Sequence, residues 1–180
     1  PGQFIAGADL NELGALASAS REQVAKGISF GHALFTRFSR LPFPTVALID
    51  GNCMGGGTEL SLSMDERLVA KGPQTKIGLP EVKIGLLPAW GGTQRLPRLI
   101  GVGPAVEMIC SGDPIDAEKA VKLGFAFDAV PSEALQEEGL RVLNHLVESG
   151  EWVARRKQRE QPVGLTEDQA TFLFATAEAF

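Results

Sequence analysis

The chain has 180 residues, a length that suits a single domain able to bury a sizeable core. Hydrophobic residues make up 44% and charged residues 22%, close to the globular average, so the composition argues against disorder. The net charge of −5 argues against a nucleic-acid-binding protein, and the dense basic run at 155–159 is interpreted as a solvated helix face.

Three further features limit the class of protein. No apolar run approaches the ~20 residues that span a bilayer, so we expect no membrane span. The two cysteines, Cys53 and Cys110, cannot build a disulfide framework, which favours a reducing compartment. The two histidines, His32 and His145, leave little room for a metal cluster or a Ser-His triad, so we expect no bound metal.

Short apolar segments alternate with helical patterns along the chain, which indicates an α/β fold. A strand over 4–10 turns at Gly7, where Asp9 is placed to cap the next segment, and helical spacing predicts a helix over 21–40. The later predictions are strands at 45–49, 67–70 and 76–78, helices at 58–63, 93–99, 104–110, 116–123, 132–148 and 166–180, and a loop at 81–92. Both ends look interrupted, so we expect a fragment, or the ordered part, of a longer protein.

A glycine turn and a carboxylate follow the second predicted strand. Gly55-Gly56-Gly57 lets the backbone approach a ligand closely, and the helix start adds free N–H groups. An oxyanion or phosphate site is one interpretation, and a tight strand-to-helix crossing with nothing bound is the other. Glu59, two residues further on, either complements the helix dipole or points inward from an apolar helix.

A second carboxylate, Glu81, lies within the apolar segment 77–88. It is either an exposed loop charge near Lys83 or a buried acid with a raised pKa. The pair Gly91-Gly92 precedes another predicted helix. It is either a second close-approach turn or a plain helix start whose basic residues face water.

Four ordered segments resemble the enoyl-CoA hydratase/isomerase (crotonase) family. They are Phe4-Ile5-Ala6-Gly7-Ala8-Asp9-Leu10, Gly55-Gly56-Gly57-Thr58-Glu59-Leu60, Leu79-Pro80-Glu81-Val82-Lys83-Ile84-Gly85-Leu86-Leu87-Pro88 and Gly91-Gly92-Thr93-Gln94-Arg95-Leu96. Together, in this order and spacing, the four segments indicate the family far more specifically than any one of them does. The closest resemblance is to the hydratase half of multifunctional fatty-acid oxidation proteins.

The resemblance implies an α/β fold in which ββα units form a spiral core, followed by a helical C-terminal region used in association. Family members carry strands ahead of the 4–9 motif, and those N-terminal strands are missing here. We therefore predict an N-terminally truncated hydratase/isomerase core over 1–150. A helical linker over 151–180 would lead toward an absent second half.

The resemblance also implies which residues act. The backbone N–H groups of Ala8 and Gly56 would form an oxyanion hole for the thioester oxygen, and Glu59 and Glu81 would be the catalytic carboxylates. We expect the helix dipole to keep Glu59 ionised as the base that activates water. Desolvation is expected to keep Glu81 protonated as the acid at C2.

Substrate contacts are predicted at Ala6, Asp9, Ala89 and Trp90. Ala89 keeps a backbone N–H for the catalytic water. Trp90 departs from the family, which has small residues in this segment. Its ring either restricts the acyl pocket or packs away from it.

The predicted function is that of a lyase, an enoyl-CoA hydratase that converts 2-trans-enoyl-CoA to 3-hydroxyacyl-CoA in fatty-acid β-oxidation. The alternatives are Δ3,Δ2-enoyl-CoA isomerisation and acyl-CoA binding without catalysis. No cofactor is expected, because the CoA thioester is the substrate. The predicted ligand is acyl-CoA, and the predicted assembly is a homotrimer or a complex with a β-oxidation thiolase. The predicted location is the cytoplasm, or the mitochondrion of a eukaryote.

Overall fold

A computed structural model describes residues 2–7, 14 and 18–177. The strands are β1 (Gln3–Ile5), β2 (Val46–Ile49), β3 (Asn52–Met54), β4 (Glu66–Ala70), β5 (Lys76–Gly78) and β6 (Asp128–Val130). The helices are α1 (Arg21–Ser39), α2 (Gly56–Leu62), α3 (Gly92–Ile100), α4 (Val102–Ser111), α5 (Ala117–Lys122), α6 (Leu135–Ser149), α7 (Glu151–Arg159) and α8 (Glu167–Ala177). Two 3-10 helices lie at Pro80–Ile84 and Ser132–Ala134.

The strands form two parallel sheets of three strands each. In the first sheet β3 lies between β1 and β5, and in the second β4 lies between β2 and β6. Every residue of β4 is buried, as expected for the central strand of a parallel sheet covered on both faces. Parallel pairing brings the carboxyl ends of β1, β3 and β5 to one edge, and the glycine turn begins there.

The main core joins the two sheets to α3, α4 and α5. Ile49 and Val69 come from the strands, Leu96 and Met108 from the helices, and Phe125 from the segment after α5; all are buried. Burial of each large side chain contributes about 1.5–3 kcal/mol relative to exposure. Leu96 of α3 therefore belongs to the same hydrophobic cluster as Cys53 and Ile77 of the first sheet.

Helix α1 begins at a capping box. The Ser20 hydroxyl accepts the Gln23 backbone N–H at 3.2 Å, and the Gln23 side chain accepts the Ser20 N–H at 2.8 Å. The apolar residues of this helix are only partly buried: Phe35 is covered, whereas Ile28 is exposed. The helix predicted over 21–40 is confirmed as Arg21–Ser39.

The interpretation of 155–159 as a solvated helix face is wrong for three of its arginines. Arg156 forms two hydrogen bonds of 2.6 Å with the Asp65 carboxylate, which is 5% exposed. Arg155 pairs with Glu66 at 2.6 Å, and Arg159 donates to the Asp65 carbonyl at 2.8 Å. These contacts tie α7 to the start of β4, because only the tertiary fold brings buried carboxylates opposite this run.

Strands β3 and β6 were not predicted, although β1 and β5, which also have three residues each, were. The predicted loop 81–92 contains most of the 3-10 helix Pro80–Ile84. The domain boundary at residue 150 stays a prediction, although α7 contacts the predicted core directly. Among the helices in the described part of the chain, none is both long and apolar enough to cross a membrane.

Candidate active site

Glu59 lies in the first turn of α2 and points into the protein, where it is 2% exposed. Its Oε1 accepts hydrogen bonds from the backbone N–H groups of Trp90 and Gly92, both at 2.8 Å. A Cβ on Gly92 would stand 3.1 Å from the same oxygen, so the glycine leaves room for the carboxylate. Of the two interpretations of Glu59, the inward one is correct.

Helix α2 is held tightly at the carboxyl ends of the first sheet. The Gly55 N–H donates to the Gly78 carbonyl at 2.9 Å, and the Thr58 hydroxyl donates to the same carbonyl at 2.8 Å. A Cβ on Gly57 would lie 2.7 Å from the Ile5 carbonyl oxygen, so only glycine allows α2 to pack this closely on β1. The tight crossing is therefore real, and it fixes where Glu59 points.

Glu81 is half-buried in the 3-10 helix Pro80–Ile84. Its Oε1 lies 3.1 Å from the position that a Cβ on Gly55 would take, so the carboxyl group faces the glycine turn. Its Oε2 is buried and has no hydrogen-bond partner among the described residues. Lys83 pairs with Asp113 instead, so the interpretation of Glu81 as an exposed loop charge is wrong.

Burial raises the pKa of the Glu59 carboxyl above its ordinary value of 4.5. The Gly92 and Trp90 N–H groups act in the opposite direction, followed by the charges of Arg95 and His32. The expectation that the dipole of its own helix keeps Glu59 ionised needs correction. The donors that favour the anion belong to the 90–92 turn, and desolvation outweighs them.

Burial also raises the pKa of Glu81, and the negative charge of Glu59 raises it further. Its own backbone N–H acts in the opposite direction. The pKa values of both carboxyl groups are therefore raised, but the two groups differ in their surroundings. Glu59 has two N–H donors from another segment that favour the anion, whereas Glu81 faces a like charge that favours the protonated form.

Gly56 is the first residue of α2, so its N–H has no acceptor within the helix. Two of the predicted site residues, Ala8 and Asp9, lie outside the described residues. Ala6 is exposed just beyond the carboxyl end of β1. The Gly7 Cα lies 3.9 Å from the position that a Cβ on Gly55 would take, so the chain leaves β1 close to the glycine turn.

Trp90 contacts two elements. Its ring meets Phe35 edge-on, with centroids 5.6 Å apart, and a Cβ on Gly31 would overlap the indole. A Cβ on Gly56 would stand 2.9 Å from the other end of the ring, so the side chain also reaches the start of α2. These contacts support the interpretation of Trp90 as a packing residue, and its effect on an acyl pocket stays a prediction. Ala89, beside it, is half-buried.

Arg95 lies at the site, although it was not predicted as a site residue. One of the two interpretations placed the basic residues of this helix in water, but Arg95 is half-buried and donates to the Trp90 carbonyl at 2.8 Å. Gly91 has a φ of +112°, which favours glycine, and a Cβ there would overlap the Arg95 guanidinium. The pair Gly91-Gly92 did indicate a close approach, but not which group approaches.

The chain belongs to the enoyl-CoA hydratase/isomerase family, whose family model matches residues 1–172. Enoyl-CoA hydratase from Bacillus anthracis is 34% identical, with 99% of this chain and 69% of that chain covered and a TM-score of 0.75. Pseudomonas aeruginosa DspI is 30% identical over 100% of this chain and 72% of that chain, with a TM-score of 0.75. The enoyl-CoA hydratase/isomerase from Cupriavidus metallidurans CH34 is 26% identical over 96% and 65% of the two chains, with a TM-score of 0.77.

These similarities confirm the predicted family and the crotonase-like α/β fold. The family indicates an enzyme of the lyase or isomerase class that acts on acyl-CoA. The roles predicted for Glu59, Glu81, Gly56 and Ala8, and the substrate contacts at Ala6, Asp9, Ala89 and Trp90, stay predictions. So does the closer resemblance to multifunctional fatty-acid oxidation proteins.

Proposed function

We propose that this chain hydrates 2-trans-enoyl-CoA thioesters to 3-hydroxyacyl-CoA. One observation carries the proposal: Glu81 faces the glycine turn that leads into the helix of Glu59, close enough for the Glu59 charge to raise its pKa, and burial raises the pKa of both carboxyl groups. Adding water to C2=C3 requires a base for the water and an acid for C2. Two carboxyl groups in different surroundings are suited to that division.

Glu59 is the proposed base. Its Oε1 is held by the Trp90 and Gly92 N–H groups, which favour the ionised form of a carboxyl that is otherwise desolvated. The carboxylate takes a proton from water as the water oxygen bonds to C3. A base with a raised pKa accepts that proton more readily at neutral pH than an ordinary glutamate does.

Glu81 is the proposed acid. The neighbouring charge of Glu59 favours its protonated form, and its buried Oε2 has no competing partner among the described residues. Glu81 transfers its proton to C2 as the enolate collapses. After one turnover Glu59 holds a proton and Glu81 has lost one, so exchange with solvent restores both groups.

The thioester oxygen gains negative charge while water adds to C3. The Gly56 N–H, free of any acceptor within α2, is the proposed donor to that oxygen together with the Ala8 N–H. A donor aimed at an oxyanion in a desolvated site typically contributes about 10²–10³ in rate. In this proposal the Gly56 N–H and the two carboxyl groups act on the same thioester.

A second activity, Δ3,Δ2-enoyl-CoA isomerisation, is favoured by one specific observation. Isomerisation needs a single group that moves a proton between C4 and C2, and the unpartnered Oε2 of Glu81 is available for it. Hydration remains the principal proposal because the fold brings two carboxyl groups together rather than one.

The proposed cellular role is fatty-acid β-oxidation in the cytoplasm. A homotrimer, or a complex with a β-oxidation thiolase, is the proposed assembly. Size-exclusion chromatography with light scattering of the purified chain tests the first, and co-purification with a thiolase tests the second.

The direct test of the proposed function measures loss of the conjugated enoyl thioester absorbance of crotonyl-CoA on addition of the purified chain. We expect turnover by the wild type and none by the double variant Glu59→Gln/Glu81→Gln. Isothermal titration with the same thioester separates binding from chemistry. Tight binding without turnover by the wild type would refute hydration and favour an acyl-CoA-binding module.

A further inference from the structure

The turn at residues 90–92 is held from two sides. On one side, the N–H groups of Trp90 and Gly92 donate to Glu59 Oε1, each at 2.8 Å. On the other, one Arg95 guanidinium nitrogen donates to the Trp90 carbonyl and the Arg95 backbone N–H donates to the Gly91 carbonyl, each at 2.8 Å. Four hydrogen bonds thus fix three successive residues between one carboxylate and one arginine.

The Arg95 side chain lies directly over this turn. Gly91 adopts a φ of +112°, and a Cβ there would overlap the guanidinium, so Arg95 occupies space that glycine leaves open. The carboxylate on the opposite side is also crowded, because a Cβ on Gly92 would stand 3.1 Å from Glu59 Oε1. The turn therefore has little freedom as long as both side chains stay in place.

The charges around Glu59 come from three elements. Arg95 on α3 and His32 on α1 favour the ionised carboxylate, whereas Glu81 on the 3-10 helix interacts unfavourably with it. Burial lowers the pKa of Arg95, and the charge of Glu59 acts against that shift. A half-buried guanidinium is costly unless a nearby carboxylate compensates for it, so each of these two groups favours the charged form of the other.

We propose that Arg95 is a positioning residue for the base: by holding the Trp90 carbonyl, it keeps the Trp90 and Gly92 N–H groups directed at the Glu59 carboxylate. This inference rests on the proposed function for the role of Glu59 as a base. In this role Arg95 acts through the 90–92 turn and not by contact with the substrate. Its removal frees the Trp90 carbonyl, loosens both donors and leaves Glu59 protonated to a higher pH.

The test compares Arg95→Met and Arg95→Lys with the wild-type chain and with a matched control, Arg98→Met. Arg98 lies one turn further along the same helix and donates to the Gln94 carbonyl of that helix at 2.7 Å. The primary measurement is a pH titration of the Glu59 carboxyl carbon by NMR in chain labelled with ¹³C-glutamate. The signal is assigned by its loss in Glu59→Gln.

We expect Arg95→Met to move the Glu59 midpoint upward by about one pH unit, the lower end of the effect of a nearby opposite charge. Arg95→Lys keeps the charge and is expected to restore most of the shift, while Arg98→Met leaves the midpoint unchanged. In the hydration assay of Arg95→Met, we expect the midpoint of the acidic limb of the kcat/KM pH profile to move upward by the same amount. Its kcat falls about tenfold with little change in KM.

An unchanged Glu59 midpoint in folded Arg95→Met, or an equal shift in Arg98→Met, would overturn the proposal. If Arg95→Met does not fold, Arg95→Leu is titrated in its place, because it also removes the donor to the Trp90 carbonyl, and the same upward shift of the Glu59 midpoint is expected. The NMR measurement does not need turnover. A wild-type chain without hydratase activity therefore refutes the proposed function, whereas an unshifted carboxyl refutes the role of Arg95.

Discussion

The two carboxyl groups can be separated experimentally, because hydration and isomerisation make different demands on them. Hydration needs both a base at water and an acid at C2, whereas isomerisation moves one proton between C4 and C2. If Glu81 is the group at C2, it serves both reactions and Glu59 serves mainly the first. We therefore expect Glu81→Gln to lose both activities. Glu59→Gln should lose hydration yet keep measurable isomerisation.

The structure makes glutamine a mild replacement at both positions. In Glu59→Gln the amide oxygen can still accept the Trp90 and Gly92 N–H groups at the Oε1 position, so the 90–92 turn is expected to persist. In Glu81→Gln no hydrogen bond to Oε2 is lost, because that atom has no partner among the described residues. The measured decrease in rate then reports the removal of the proton-transfer group. General acid or base removal costs about 10²–10⁴ in rate, or roughly 3–5 kcal/mol in activation free energy.

The assay uses crotonyl-CoA for hydration and a 3-enoyl-CoA for isomerisation, with each variant measured on both substrates. We expect hydration to fall at least about a hundredfold in each single variant. The diagnostic quantity is the ratio of isomerisation to hydration, which should rise in Glu59→Gln alone. If Glu59→Gln abolishes isomerisation while Glu81→Gln spares it, the assignment of the two roles is reversed.

Four other outcomes are expected. Gly56→Pro removes the proposed oxyanion donor and should lower kcat by about 10²–10³. Its added Cβ stands 2.9 Å from the Trp90 ring, so the variant is compared with the wild type only after its fold has been checked by circular dichroism. Trp90→Gly should raise relative activity on longer acyl chains, because its ring reaches the start of α2. Glu81→Gln should raise thermal stability at pH 8 but not at pH 4, since the raised pKa of Glu81 makes its ionised form unfavourable in the fold. Arg156→Met should lower the free energy of unfolding by roughly 3 kcal/mol, because the buried Asp65 carboxylate loses its partner.

Each of these outcomes has a control and a contradicting result. Normal activity in folded Gly56→Pro would remove Gly56 from the oxyanion hole, and an unchanged chain-length preference with lower stability would make Trp90 a packing residue only. The stability gain of Glu81→Gln must grow as pH rises through the pKa of the folded carboxyl; a gain equal at both pH values contradicts the assignment. Lys157→Met, at an exposed position of α7, should change stability by less than about 0.5 kcal/mol and serves as the control for Arg156.

Much of the candidate site could be predicted from local sequence. The triple glycine at 55–57 predicted a close crossing, and Gly57 does lie against Ile5. The apolar residues around Glu59 favoured an inward side chain, and it is buried. The family resemblance, carried by ordered motifs, was confirmed by a match over residues 1–172. The order of strands and helices was predicted except for β3 and β6.

The order of most elements, the family and the identity of the candidate carboxyl groups could be inferred from local sequence, because glycine turns and apolar runs involve only a few neighbouring residues. Which groups stabilise those carboxyl groups depends on contacts that form only in the folded chain. Glu59 accepts N–H groups from residues 31 and 33 positions further along the chain, and Arg156 reaches Asp65 across 91 positions. Electrostatic and hydrogen-bonding energies depend on distance in space and on burial. Arg95 and the arginines of α7 therefore read as surface charges in the sequence, although in the fold they pair with carbonyl and carboxylate oxygens.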